Sequence, residues 1–334
     1  MMNRKKPLVS VIIPTYNRSD LITRAIDSVL IQTLQDFEII VVDDASLDDT
    51  ESVVKNITDN RIKYIKHSIN RHGSAARNTG IKAATGQYIA LLDSDDEWLP
   101  THLETKVTYV QNNSCSGVFG SYYIYYSDDL IREINCQPQP PNCPLAEYIL
   151  SGKGDTRTST FVFETNPIQK VLFDESLAKH QDWDLAIRFA QMYQFECESS
   201  STVIAHYDRE QSISSTMNHK ATKIFLERYQ DLISSNTLAR FYTLVLALRT
   251  LVSEGRNEQY QEYLKIAKSL PQTRPYLKLA SWCLSYPTLD LLFVRLHQLR
   301  QKWITWRSRL KDDSIFDILP IGELTLHSRI PRTK

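Results

Sequence analysis

Three short apolar runs, each ending abruptly in a polar cluster, most constrain how this 334-residue chain can fold. Leu8 to Ile13 stops at Pro14-Thr15-Tyr16-Asn17, Phe37 to Val42 at Asp43-Asp44-Ala45-Ser46, and Gln87 to Leu92 at Asp93-Ser94-Asp95-Asp96. Runs of this length, rich in Val and Ile and with little polar alternation, read as strands buried on both faces. Segments of helical spacing lie between them. Leu21, Ala25, Ile26, Val29 and Leu30 follow a capping Ser19-Asp20, a second helix spans Asp48 to Ile57, and Gly73 opens a third over Ser74 to Ala84. Ile62 to Ile65 adds a further strand. Alternation of this kind from residue 8 to about 125 predicts an α/β fold with a mostly parallel sheet and right-handed crossovers. Ligands bind beyond the carboxyl ends of strands in such sheets, so the three polar clusters are expected along one edge.

The acidic cluster is the most informative of them. Asp93, Asp95 and Asp96 put three carboxylates within four residues. Like charges so close need a cation, hydrogen bonds or free water. Asp93 and Asp95 alternate on an extended chain and share a side, which suits a hard divalent cation such as magnesium or manganese. The same stretch also reads as a solvated acidic turn, with Asp96, Glu97 and Pro100 opening the next helix.

Composition excludes several classes. Lys plus Arg and Asp plus Glu both total 39, so no charge bias points to nucleic acid. A hydrophobic share of 42% with 10% aromatics belongs to a globular chain. Five scattered cysteines form no CxxC pair, which argues for reduced thiols in a cytoplasmic protein and against a zinc site. Asn3 to Lys6 followed by an apolar run resembles a signal peptide only superficially, because the run is short and lacks a small-residue cleavage site. No run of about 18 uncharged apolar residues predicts a transmembrane helix. No glycine-rich loop follows the first strand, which disfavours a sugar nucleotidyltransferase or a nicotinamide oxidoreductase.

VSVIIPTYNR, FEIIVVDDAS and GSAARNTGIKAATGQYIALLDSDDEWLP, in that order, resemble the nucleotide-binding half of family 2 glycosyltransferases of the GT-A fold. His180-Gln181-Asp182-Trp183-Asp184-Leu185-Ala186-Ile187-Arg188 is similar to the family's second acidic motif, and the likeness covers roughly residues 8 to 215. It implies a GT-A domain over 1–215, divided into a nucleotide-sugar half (8–125) and an acceptor half (126–215). A helical domain over 216–311 and a tail over 312–334 follow.

The resemblance also implies a chemistry: inverting, metal-dependent transfer of a sugar from a nucleotide diphosphate, UDP above all, to an acceptor hydroxyl. The acceptor is a saccharide or lipid-linked saccharide in polysaccharide biosynthesis. In this reading Asp44 accepts the uracil N3–H while Asp43 supports the turn, although the pair could simply cap the following helix. Pro14, Thr15 and Tyr16 form the other wall of the pocket, with Tyr16 equally readable as core. Asp95 is the direct metal ligand, Asp93 meets metal or ribose, and Asp96 supports them. Arg77 faces the donor or, alternatively, lies on the helix surface. Asp182 is the base, preceded by Gln181 where the family often has Glu. Asp184 and Arg188, at i and i+4, pair structurally, and Trp183 stacks on acceptor or anchors its helix. His206 reaches metal or phosphate, or is merely packed, and Arg209 closes the donor site.

The remaining segments carry less. Residues 126–157 read as irregular loops around one helix, Leu145 to Leu150. After 216 helical periods dominate, and 289–311 is basic and amphipathic, with Arg295, Arg300, Lys302, Arg307, Arg309 and Lys311 against Asp290, and with Trp303 and Trp306. Such a helix either packs with a solvated basic face or lies peripherally on the inner face of the cytoplasmic membrane. A catalytically weak nucleotide-sugar-binding module is the remaining rival, kept open by Gln181 and opposed by the intact Asp93, Asp95 and Asp182.

Overall fold

The computed structural model describes residues 6–127, 130–207, 217–271 and 274–286. The first half reads β1 (Val9–Thr15), α1 (Ile22–Leu30), β2 (Phe37–Asp43), α2 (Thr50–Lys55), β3 (Ile62–Lys66), α3 (His72–Ala83) and β4 (Tyr88–Leu91). Every residue of β1, β2 and β4 is buried, as runs covered on both faces require. Helix α1 buries Ile22, Ala25, Ile26 and Val29, the i, i+3, i+4, i+7 stripe of an amphipathic helix. Its cap differs from expectation. Leu21 is the N-cap and offers no side-chain hydrogen bond, because the Ser19 N–H is turned towards Asp48 Oδ2 at 3.0 Å. Asp48 in turn accepts the Thr50 N–H at 3.1 Å, so α2 begins two residues later than predicted.

The second half continues with β5 (Glu97–Trp98), α4 (His102–Asn113), β6 (Gly117–Gly120), β7 (Tyr122–Ser127), β8 (Leu130–Ile134), α5 (Leu145–Leu150), a 3₁₀ turn Thr158–Thr160, β9 (Val162–Glu164), α6 (Thr165–Val171), α7 (Gln181–Met192), β10 (Phe195–Glu198) and β11 (Val203–His206). A seven-stranded sheet runs in the order β10-β6-β9-β4-β1-β2-β3. Only β9 opposes its neighbours, so the sheet is mostly parallel. A second, four-stranded sheet has the order β5-β11-β7-β8. The antiparallel pair β7 and β8 replaces the loop expected after residue 126, and its short strands with interspersed charge leave a weak sequence signal.

Two cores fill the faces of the large sheet. Val9, Val11 and Ile13 enter one with α1 and α4, whereas Ile12, Ile40 and Leu91 enter the other with α7 and a cluster of Phe rings. This strict alternation follows the period of two along a strand. Helix α3 lies close on β1, where a Cβ on Gly80 would sit 2.3 Å from Ile12 Cγ2. Glycine is what permits that approach.

Helices α8 (His219–Tyr229), α9 (Ser235–Arg240), α10 (Leu248–Glu254), α11 (Glu258–Ser269) and α12 (Pro275–Leu284) follow, with a π-helical stretch at Phe241–Ala247. Their Phe225, Tyr229, Phe241 and Tyr260 join the same core as α5 and α7. Asp184, fully buried, binds them electrostatically: it accepts from Arg188 Nε (2.8 Å), Arg228 (2.6 Å) and the Tyr229 hydroxyl (2.6 Å). The expected Asp184–Arg188 pair is therefore present and extends into α8. No helix among the described residues is long and apolar enough to cross a membrane. The segments 289–311 and 312–334 lie outside the described residues.

Candidate active site

The three polar clusters do meet along one edge of the large sheet. Pro14 and Thr15 stand in register with Val42 and Asp43, and the Asp44 N–H donates to Thr15 O at 2.9 Å. Thr15 is buried with its hydroxyl unpartnered among the described residues, while Tyr16 beyond it is 42% exposed and so is not core. Asp43 is wholly buried and holds the turn, accepting the Ser46 N–H at 2.8 Å and the Tyr64 hydroxyl. Asp44, also buried, accepts from His67 and from the Arg71 amide.

Beyond β4 the chain turns tightly, with the Asp96 N–H donating to Asp93 O at 3.1 Å. Oxygens of Asp93, Asp95 and Asp96 then lie within 4.8 Å of one another. The three carboxylates have different surroundings. Asp93 is paired with Arg77 at 2.6 Å. Asp96, fully buried, accepts from Arg157 Nε (3.2 Å) and the Ser159 hydroxyl (2.5 Å). No hydrogen bond reaches the Asp95 carboxylate among the described residues. Burial, reinforced by the Asp96 and Asp93 charges, pushes its pKa up to about 6. An unpaired carboxylate between two others is a donor set that fits a hard divalent cation, completed by water or ligand oxygens.

The turn is braced by residues the sequence reading passed over. Ser159, in the 3₁₀ turn, also accepts the Asp93 N–H at 3.2 Å, and its carbonyl takes the Trp98 indole N–H at 2.8 Å. Arg157 sits above the Tyr122 ring at 5.6 Å. Asp96 overcomes the burial that would discharge this guanidinium and holds its pKa above the usual value. Asp155, two residues earlier, accepts from the Tyr122 hydroxyl (2.5 Å) and from Trp183 Nε1 (3.3 Å). These residues form no spaced motif; only their convergence in space reveals them.

The other wall is the start of α7. His180 adopts a left-handed conformation (φ 61°), stacks on Trp183 at 4.9 Å and contacts the Thr222 hydroxyl at 2.9 Å. Burial, with the Lys179 and Arg249 charges, lowers its pKa to about 3, so it packs as a neutral ring between α7 and α8. Trp183 thus anchors its helix. Asp182, half-buried on the first turn, accepts the Trp183 N–H at 2.9 Å. Burial first and the Asp155 charge second raise its pKa to about 6. Gln181 donates to Leu177 O at 2.7 Å and accepts from Arg77 at 3.4 Å. Arg77 therefore points inward and spans Asp93 and Gln181, so the surface alternative for it does not hold.

Two further candidates stand apart. Strand β11 carries His206 beside β5, where its Nε2 meets Glu97 Oε1 at 2.9 Å and its ring lies 4.9 Å from Tyr125. Among the described residues the group of potential metal ligands comprises Asp93, Asp95 and Asp96. Arg209 lies outside the described residues.

Comparison with known proteins agrees with this geometry. A family model described as "Glycosyl transferase family 2" matches residues 10–164. The chain is 39% identical over 124 residues to the UDP-Glc:alpha-D-GlcNAc-diphosphoundecaprenol beta-1,3-glucosyltransferase WfgD of Escherichia coli, covering 37% of this chain and 49% of WfgD. It is 31% identical over 198 residues to the putative colanic acid biosynthesis glycosyl transferase WcaA of Escherichia coli K12, covering 57% of this chain and 68% of WcaA. For other curated relatives that share falls to 62% and 47% of their length. Among solved structures, Staphylococcus aureus TarS 1-349 in complex with UDP-GlcNAc superposes with a TM-score of 0.61 at 18% identity, over 98% of both chains. The mannosyltransferase PcManGT of Pyrobaculum calidifontis, solved with GDP-Man and Mn2+, gives 0.52 at 17% identity over 92% of this chain and 84% of its own. The fold is GT-A, and the chain belongs to glycosyl transferase family 2.

Proposed function

We propose that the protein is an inverting, metal-dependent glycosyltransferase that moves a sugar from a UDP-sugar to an acceptor hydroxyl in polysaccharide or glycoconjugate synthesis. One observation carries the reading. The Arg77 guanidinium spans 2.6 Å to Asp93 in the acidic turn and 3.4 Å to Gln181, the neighbour of Asp182. A donor-binding edge and a carboxylate base are thereby brought to one cleft.

The roles follow from the chemistry. Asp44, with Pro14, Thr15 and Tyr16, forms the base pocket, and Arg77 and Asp93 face the ribose and phosphates. Asp95, with Asp93 beside it, would hold manganese or magnesium, which would neutralise charge on a departing diphosphate. Asp182 takes the proton from the acceptor hydroxyl, whose oxygen bonds to the anomeric carbon as the bond to diphosphate oxygen breaks. The electron pair leaves with the diphosphate, and attack from the face opposite it inverts the anomeric centre. A base with pKa near 6 is charged at neutral pH and still basic enough to accept a proton. Likeness to WfgD supports a lipid-linked saccharide as acceptor, and Arg209 remains a candidate for closing the donor site.

Thermal stability with UDP and manganese, in wild type and Asp95→Ala, tests the donor side. Ligand binding to the native state should raise the melting temperature. A shift that needs both ligands and is lost in Asp95→Ala is expected; a wild type that no nucleotide stabilises overturns the reading in favour of a degenerate module.

A further inference from the structure

Asp44 sits where three elements meet. Its Oδ1 lies 2.6 Å from His67 Nδ1, one residue past β3, and accepts the Arg71 N–H, at the N-cap of α3, at 2.9 Å. Its Oδ2 is 3.0 Å from that same N–H. Both side chains are nearly closed to solvent, at 3% for Asp44 and 8% for His67. His67 Nε2 faces the Thr79 hydroxyl at 2.9 Å. An ionised carboxylate only accepts, so the Nδ1–H of His67 is the donor to Asp44.

A carboxylate offers about four acceptor directions, two on each oxygen. His67 and Arg71 use both of those on Oδ1. The shared Arg71 amide uses one on Oδ2, and no other donor reaches that oxygen among the described residues. We propose that His67 is the positioning and specificity residue of the nucleotide-base site. With the Arg71 amide it leaves Asp44 a single acceptor, which fits the lone imide N–H of a uracil-type base. Guanine presents two adjacent donors, N1–H and the exocyclic amine, and would need both oxygens. The inference rests on Asp44 being the base-reading residue proposed above.

Calorimetric titration with UDP and with GDP, each in manganese, isolates the base because the diphosphate is common to both. Wild type should bind UDP at least about tenfold more tightly than GDP, the order of one charged hydrogen bond. His67→Ala should weaken UDP about tenfold and bring the two affinities close together. His67→Asn, whose amide N–H can replace Nδ1–H, should recover most of the preference. A merely structural role would weaken both nucleotides alike and keep their ratio; that result overturns the proposal, as does unchanged UDP affinity in His67→Ala. Asp44→Asn separates the underlying reading, because UDP binding unaltered there removes Asp44 from the base site whatever His67 does. If His67→Ala does not fold, His67→Gln, with its amide one bond further out, makes the same comparison against His67→Asn.

Discussion

Replacing Asp182 by Asn should remove transfer and make the protein more stable. Burial and the Asp155 charge raise the Asp182 pKa from 3.8 to about 6. A raised carboxylate pKa means the folded state holds the proton more tightly than the unfolded chain does. The sign follows: stability falls as pH rises from about 4 through about 6, and the full cost is present above that. A shift of this size is worth up to about 3 kcal/mol, and the half-buried side chain discounts it to about 1–2 kcal/mol. Asn has the same shape, can still accept the Trp183 N–H and bears no charge at any pH. At pH 8, with chelator present, Asp182→Asn should therefore melt roughly 2–6 °C above wild type. The gap should close as pH is lowered through 6. Transfer should fall by about 10²- to 10⁴-fold, the usual contribution of a positioned base. Melting curves by circular dichroism at pH 5 and pH 8 decide the matter. A variant less stable than wild type at pH 8, or a gap independent of pH, refutes the electrostatic account of this site.

Other perturbations probe neighbouring parts of the cleft. In wild type, kcat/KM should decline below pH about 6 as Asp182 takes up a proton, and Gln181→Glu should move that acid limb upward by adding a like charge beside it; pH–rate profiles of the two proteins compare them directly. Asp95→Asn should raise the melting temperature in chelator, since its carboxylate is destabilised by burial and by Asp96 and Asp93, yet abolish any stabilisation by manganese and UDP. Asp184→Ala leaves Arg188, Arg228 and Tyr229 without their common acceptor, and should cost about 2–4 kcal/mol in urea denaturation. Limited proteolysis of that variant should cut first within α8 to α12.

The donor half was legible because its signals are local. Val9 to Ile13, Phe37 to Val42 and Tyr88 to Leu92 are almost wholly apolar, and each ends in a polar cluster proposed to carry chemistry, so strand and candidate site could be read together. The inward aim of Arg77 was open in the sequence, since a helix arginine can face either way; packing against Phe173 and pairing with Asp93 decide it. Asp155, Arg157 and Ser159 could not be read at all. They lie in a stretch without periodicity: Arg157 and Ser159 find their partners more than 60 residues away in Asp93, Asp96 and Trp98, and Asp155 finds its own in Tyr122 and Trp183. The contact of His206 was hidden for a related reason: its neighbour Glu97 comes from a two-residue strand that no pattern announces.

These long-range contacts explain how three adjacent aspartates can do different work. Identical side chains in one turn would share their repulsion equally if water alone surrounded them. Here Arg157 neutralises Asp96, to which the Ser159 hydroxyl also donates, and Arg77 neutralises Asp93 from α3. The remaining strain falls on Asp95, whose pKa rises to about 6 and whose carboxylate receives no hydrogen bond among the described residues. A bound divalent cation would relieve that cost, so the energy of folding the acidic turn becomes affinity for the cation. The same brace reaches α7: Arg157 and Ser159 belong to the segment that also carries Asp155, the partner of Trp183 beside Asp182. In the proposed roles, donor site and base are therefore linked through ordinary hydrogen bonds.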